Sequence, residues 1–116
     1  MNGKRKGSGG ERELCAYLTS MGFPARRNDQ RFTGGHGNPD VAAGGLGWLH
    51  IECKRVEHLN LGAAMAQAER DAAGKIPVVI HRQNRRPWRI TLNLSDFLKV
   101  VKNIERQQGA GFTGDA

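Results

Sequence analysis

Two acidic residues and a lysine in neighbouring segments of this 116-residue chain could form a reactive group. Residues 48–54 alternate apolar and polar side chains, as in a β-strand with Glu52 and Lys54 on one face. A hairpin centred on Leu46 would pair Asp40 with Glu52 and bring their Cβ atoms to about 4.5–5.5 Å. Like charges at that distance repel each other unless a cation lies between them or they share a proton.

Two or three carboxylate oxygens are hard ligands, which favour Mg²⁺ or Mn²⁺ over zinc. An ion bound there would neutralise charge on a scissile phosphate and lower the pKa of a coordinated water. Lys54 would orient that water and stabilise the developing oxyanion. The alternative is an exposed Asp40 in a Gly-rich turn and an ordinary Glu–Lys pair on an edge strand, because the hairpin register could slip by one residue.

A third acidic residue, Glu11, lies on a helix predicted over residues 9–21, with Ser8 as its N-cap. Glu11 falls on the same stripe as Leu14 and Leu18, which is the inward face of this helix. It would complete the acidic cluster if the helix packs over this sheet.

The remaining pattern predicts an α/β (α+β) fold in which a mixed sheet of about five strands is flanked by helices, in the order α-β-β-β-α-β-β-α. Strands are predicted over residues 23–27, 40–43, 48–54, 76–81 and 88–92, and further helices over 61–73 and 95–106. The last helix is expected to bury Phe97, Leu98, Val101 and Ile104. Residues 1–108 are predicted to form one domain with a flexible basic arm over 1–8, and the Gly-rich tail 109–116 is predicted to be disordered.

The charge of the chain indicates a polyanionic partner. There are 18 Lys and Arg against 11 Asp and Glu, a formal net charge of +7, which is typical of nucleic-acid binding proteins. Aromatic residues make up only 6% and are not interleaved with the arginines, which favours contacts to the phosphate backbone over base stacking. The basic residues form three groups: Lys4, Arg5 and Lys6; Arg26, Arg27 and Arg31; and Arg82, Arg85, Arg86 and Arg89.

Several classes of protein are disfavoured. No apolar run is long enough to span a membrane and the N-terminus lacks an apolar signal core, so a cytoplasmic protein of a bacterial, archaeal or phage-infected cell is expected. The glycines of residues 34–47 are not followed by a GK[ST] motif, so no nucleotide cofactor is expected. Cys15 and Cys53 lack CxxC spacing, which favours reduced thiols.

The order Pro39-Asp40 followed by Glu52-Cys53-Lys54 resembles the PD…(D/E)xK signature of the restriction-endonuclease-like nucleases. The segments before it resemble the archaeal-type Holliday junction resolvases, which phages also carry; these segments are Lys4-Arg5-Lys6, Glu11-Arg12-Glu13-Leu14, Gly22-Phe23 and Arg27. The resemblance runs in order over residues 4–54. The PD and ExK elements are short, and their order, their spacing and the preceding acidic helix make the resemblance specific.

The resemblance implies a Mg²⁺-dependent DNA endonuclease, with Mn²⁺ able to replace Mg²⁺. It implies that Glu11, Asp40 and Glu52 bind the metal together with the backbone carbonyl of Cys53, and that Lys54 is the catalytic lysine. DNA phosphates would be held by Arg12 and Arg27, and the other basic residues expected to contact DNA are Lys4, Arg5, Lys6, Arg26 and Arg31. Symmetric cutting of a four-way junction needs two sites, which predicts a homodimer.

Three other polar residues are weaker candidates. Gln67 lies in the middle of a helix and either faces the site or is solvated, and His36 in the Gly-rich loop is a possible phosphate contact. His50 shares the strand face of Glu52 but lies toward the hairpin turn, so partial exposure is expected. Two alternative functions stay open: another PD-(D/E)xK nuclease (flap, nicking, repair or restriction-like), or a non-catalytic basic module that binds nucleic acid.

Overall fold

The protein was analysed as a computed structural model, which describes residues 2–28 and 39–108; the side chains of residues 2–8 lie outside this description. Within these residues the predicted order α-β-β-β-α-β-β-α is confirmed. The helices are α1 (Asn2–Ser20), α2 (Leu61–Asp71) and α3 (Leu94–Gln108). The strands are β1 (Ala25–Arg27), β2 (Val41–Ala43), β3 (Leu49–Arg55), β4 (Ile76–Arg82) and β5 (Arg89–Thr91).

The strands of the described ranges form a mixed sheet in the order β1-β2-β3-β4-β5. β3 and β4 are parallel because α2 connects them as a crossover, and the other neighbouring strands are antiparallel. Val41 pairs with Ile51, which is the register that a hairpin centred on Leu46 predicts. This register places Asp40, just before β2, beside Glu52 on β3.

Each face of the sheet is covered by a different helix. On one face, Leu14 and Leu18 of α1 pack in a cluster with Ile51 of β3. On the other face, Ala64 and Ala68 of α2 pack against Val79, which pairs with Glu52 in the parallel register. β3 is therefore covered on both sides, and its first five residues are all buried.

The predicted start of the first helix is wrong, because α1 begins at Asn2 rather than near Gly9. Lysine and arginine are good helix formers, so the basic segment extends the helix toward the N-terminus despite the nearby glycines. Ser8 lies inside the helix rather than at its N-cap. The predicted end is close to correct: Gly22 has a positive φ of 98° and its N–H donates to the carbonyl of Thr19.

The expectation that α3 buries its apolar face is also wrong. Phe97, Leu98, Val101 and Ile104 are 37–49% exposed, and α3 has no buried residue. The apolar spacing of α3 is helical, as predicted, but its stripe does not face the sheet. No helix among the described residues is long and apolar enough to cross a membrane.

Candidate metal centre

The first element of the site is the pair Asp40 and Glu52. The N–H of Asp40 donates to the Ile51 carbonyl at 2.9 Å, and its Oδ2 accepts from the N–H of Cys53 at 2.9 Å. These bonds tie Asp40 to β3 on either side of Glu52, which is only 2% exposed. The two carboxyl groups also share a hydrogen bond.

Burial and the charge of Glu52 together raise the pKa of Asp40 to about 7. Burial also raises the pKa of Glu52. Two carboxyl groups in contact cannot both ionise without a compensating charge, so near neutral pH this pair holds a proton that a divalent cation would displace. The oxygen donor set therefore fits a hard divalent ion at Asp40 and Glu52.

The ammonium group of Lys54 is close to this pair. Its charge lowers the pKa of Asp40, of Glu52 and of Glu11, so it acts on all the predicted carboxylates. The net pKa of Glu11 is nevertheless raised, mainly by burial and also by the charge of Asp40. The charged residues of the PD…(D/E)xK pattern, which are Asp40, Glu52 and Lys54, therefore lie within electrostatic reach of one another and of Glu11 on α1.

α1 packs over the sheet, as the predicted approach of Glu11 requires, but not on the face that carries Glu52. Leu14 and Leu18 pack on the opposite face, so Glu11 approaches the pair from the α1 side. Its carboxylate accepts a hydrogen bond from Nε of Arg27 at 3.1 Å and is 20% exposed. Arg27 thus positions Glu11 in this structure, in addition to its predicted contact with phosphate.

The expected exposure of His50 is wrong as well, because its side chain is fully buried. β3 is the central strand and α2 covers this face, so a position near the turn is not open to solvent. Nε2 of His50 lies 3.1 Å from Oε2 of Glu52, and burial lowers the pKa of the imidazole, which is therefore neutral.

Asp71 is a residue that the motif pattern did not reveal. Among the described residues, one cluster brings together three side chains of the types that bind metals, which are His50, Glu52 and Asp71. One donor atom from each side chain lies within 4.8 Å of the other two. Glu11 and Asp40 are not members of this group. A signal did exist in the sequence: Asp71 falls on the stripe of Ala64 and Ala68, the buried face of α2.

A network of ion pairs anchors α1 beside the site. Glu13 accepts from Nε of Arg55 at 2.8 Å and from Nη1 of Arg82 at 2.6 Å, which joins α1 to the ends of β3 and β4. The helix and the strand are close here, because a Cβ on Gly10 would lie 2.6 Å from the Cβ of Arg55. Gly10 directly precedes Glu11, so this contact sets the position of the Glu11 backbone.

The other predicted residues are distributed around this centre. Arg12 and Arg26 are exposed, and Gln67 is half-buried on α2. Burial raises the pKa of Cys53 to about 12, so its thiol stays protonated and unreactive. Arg31, His36 and residues 109–116 lie outside the described residues, as do the side chains of Lys4, Arg5 and Lys6.

The fold has a counterpart among solved structures, although no protein-family model and no curated protein sequence matches the chain. The mixed sheet and its helices match the fold of a restriction-endonuclease-like nuclease, as the sequence resemblance implies. One similar structure is Hjc, a Holliday junction resolvase of the archaeal hyperthermophile Archaeoglobus fulgidus, determined at 1.6 Å. The two chains are 27% identical, the alignment covers 71% of this chain and 72% of the resolvase, and the TM-score is 0.51.

Proposed function

We propose that this protein is a Mg²⁺-dependent endonuclease that hydrolyses phosphodiester bonds in branched DNA, with the four-way junction as its main substrate. The observation that carries the proposal is the buried Asp40–Glu52 pair with the charge of Lys54 beside it. The likeness to an archaeal resolvase supports a nuclease function, and the net charge of +7 suits a DNA partner.

In this proposal Asp40, Glu52 and Glu11 hold the metal together with the carbonyl of Cys53. A divalent ion bound there supplies charge neutralisation at the phosphate and a water of lowered pKa. Lys54 places a positive charge beside the reacting phosphate, where it stabilises negative charge that develops as the bond breaks. The hydrogen bond from the N–H of Cys53 fixes the position of Oδ2 of Asp40.

The basic residues that we propose as phosphate contacts are Lys4, Arg5, Lys6, Arg12, Arg26, Arg27 and Arg31. Such contacts release counterions, so binding is expected to weaken steeply with salt. Paired nicks at a symmetric junction require two acidic centres, so the proposed active form is a homodimer. A measured mass of one chain on a bound junction would contradict the dimer without contradicting the chemistry.

The first test is cleavage of labelled DNA with Mg²⁺, comparing a four-way junction, a flap and a linear duplex. We expect symmetric nicks in the junction, none in the presence of chelator, and cutting with Mn²⁺ in place of Mg²⁺. Glu52→Gln should lower the cleavage rate more than about 100-fold, because the carboxylate that holds the metal is lost. Glu105→Gln, at an exposed position of α3, is the matched control and should cut like the unaltered protein.

The substrates separate the alternative functions. Preferential cutting of the flap or the duplex would keep the chemistry and overturn the junction assignment. If no substrate is cut with either ion while the junction is still bound, the chain is a non-catalytic DNA-binding module. If Glu52→Gln still cuts in Mg²⁺, the site is assigned to the wrong residues.

A further inference from the structure

A groove of about 690 Å³ lies between α3 and the edge of the sheet at which β3 and β4 begin. Trp48 and Ile76 form its wall on the sheet side, with Gly74 beside them. Sites for small organic ligands usually measure about 300–1,000 Å³, so the groove has room for a nucleotide-sized group. Lys54 lies toward the other end of β3, so the groove does not belong to the candidate metal centre.

Trp48 presents a fixed aromatic surface in this groove. Its indole N–H donates to the carbonyl of Gly45 at 3.3 Å, and its backbone carbonyl accepts from the N–H of Ile76 at 3.1 Å. The residue is nevertheless 46% exposed. An aromatic side chain that is held in place but left open to solvent can stack against a ligand with little loss of side-chain entropy.

The opposite wall of the groove is positively charged. Lys99, Lys102 and Arg106 recur at three- and four-residue spacing, which places them along one side of α3. Lys99 pairs with Asp96 at 3.7 Å, whereas Lys102 and Arg106 form no ion pair with a described residue. None of the described residues that line the groove is acidic. The groove therefore suits an anion that also carries an aromatic part.

We infer that this groove binds a single nucleic-acid strand, with an unpaired base stacked on Trp48 and the neighbouring phosphates held by the cations of α3. Proteins that bind single strands combine these two features, an aromatic surface and a basic groove. In a duplex the bases stack on one another, so a duplex offers no free base to the indole. The low aromatic content of the sequence disfavours base stacking, and only the fold brings Trp48 to the basic side of α3.

This inference goes beyond the proposed endonuclease activity and is tested without cleavage. The measurement is the fluorescence of Trp48 in the full chain, in chelator and without added metal. Trp88→Phe is the reference chain, because the sequence contains two tryptophans and this change leaves Trp48 alone. Short oligo(dT) and oligo(U) should quench its fluorescence, and a DNA duplex of the same length should not. Quenching by either strand supports the site, and the tighter of the two identifies DNA or RNA as its ligand.

Variants of the groove should weaken the binding of a labelled oligo(dT), measured by fluorescence anisotropy. Trp48→Ala should weaken it about 10-fold, since the stacking surface is lost. Lys102→Gln should also weaken it and should reduce the dependence of log K on log salt by about 0.7. Arg70→Gln is the matched control, because it removes an exposed positive charge from α2, outside the groove. Trp88 packs against the core, so its fluorescence shows whether the Trp48→Ala chain is folded.

Unchanged affinity for oligo(dT) in a folded Trp48→Ala chain would overturn the inference, as would equal quenching of Trp48 by the duplex. Quenching by thymidine monophosphate at the concentration that suffices for oligo(dT) would also overturn it, because the groove would then hold a nucleotide and not a strand. A chain that binds the single strand as expected but cuts no junction would keep this site and remove the proposed function. A chain that cuts the junction while Trp48 is not quenched would do the reverse.

Discussion

At Asp40 the protein keeps a carboxyl group against a second carboxyl and away from most solvent. Hydrogen bonds from Cys53 and to Ile51 hold it there, although the burial disfavours its ionised form. Stability lost at such a residue usually reflects a functional demand. The demand that fits is a cation, because a divalent ion converts the repulsion between Asp40 and Glu52 into shared coordination.

The destabilisation caused by burying Asp40 against Glu52 should make the stability of the metal-free chain, measured in the presence of chelator, depend on pH. The pKa of Asp40 rises from 3.8 to about 7 on folding, so between these values the folded chain binds more protons than the unfolded chain. The free energy of unfolding should therefore fall as pH rises from about 4 to about 7 and then level off. The raised pKa of Glu52 acts in the same direction.

Asp40→Asn should remove most of this fall and stabilise the metal-free chain by about 1–3 kcal/mol at pH 8, with a smaller gain at pH 4. Urea unfolding at both pH values measures the difference. Asp96→Asn on α3 is the control, because that carboxylate forms an i, i+3 ion pair with Lys99. Equal stabilisation at both pH values would show that ionisation of Asp40 is not the cause.

At the scale of the elements, the approach of α1 to β3 determines where Glu11 lies. The helix is held by the bonds of Glu13 to Arg55 and Arg82, and Gly10 permits the close contact. A methyl group at Gly10 would lie 2.6 Å from the Cβ of Arg55, a separation that needs movement of the helix or the strand.

Gly10→Ala should destabilise the chain by about 1–3 kcal/mol, since overpacking outweighs the better helix propensity of alanine. Gly9→Ala is a closely matched control, because it lies in the same helix with no atom within 4 Å of an added Cβ. That change should stabilise the chain by about 0.5–1 kcal/mol. Urea unfolding of both variants measures the two effects, and effects of the same sign would contradict the close packing of α1.

At the scale of the whole molecule, the core consists of the sheet with α1 and α2, and α3 contributes little to it. Leu14 is completely buried between α1 and the sheet, whereas Leu98 on α3 is 48% exposed. The same substitution at these two leucines should therefore have different effects on stability.

Leu14→Ala should cost about 2–5 kcal/mol, and Leu98→Ala less than about 1 kcal/mol. The measurement is the free energy of unfolding at a protein concentration at which the chain is monomeric. A cost at Leu98 as large as that at Leu14 would mean that α3 packs on the sheet, as its apolar stripe alone suggests.

The amino-acid sequence by itself determined the features that depend on residues close together along the chain, such as the order of helices and strands and the register of the β2–β3 hairpin. Alternation in residues 48–54 and the short turn at Leu46 specify the β2–β3 register, so Asp40 and Glu52 were predictable as neighbours. Helix and strand order followed from periodicity, Glu11 from the apolar stripe of the first helix, and Lys54 from the PD…(D/E)xK pattern. The metal ligands and the catalytic lysine that the family resemblance implies stay predictions.

Only the tertiary structure decided which elements cover which face. It placed α1 opposite Glu52, buried His50 beneath α2, brought Asp71 to Glu52 and left the apolar stripe of α3 exposed. A period of 3.6 residues identifies the apolar side of a helix but not the surface that receives it. That choice depends on packing between segments distant in sequence, where shape and the lengths of the connections compete, so local pattern does not determine it.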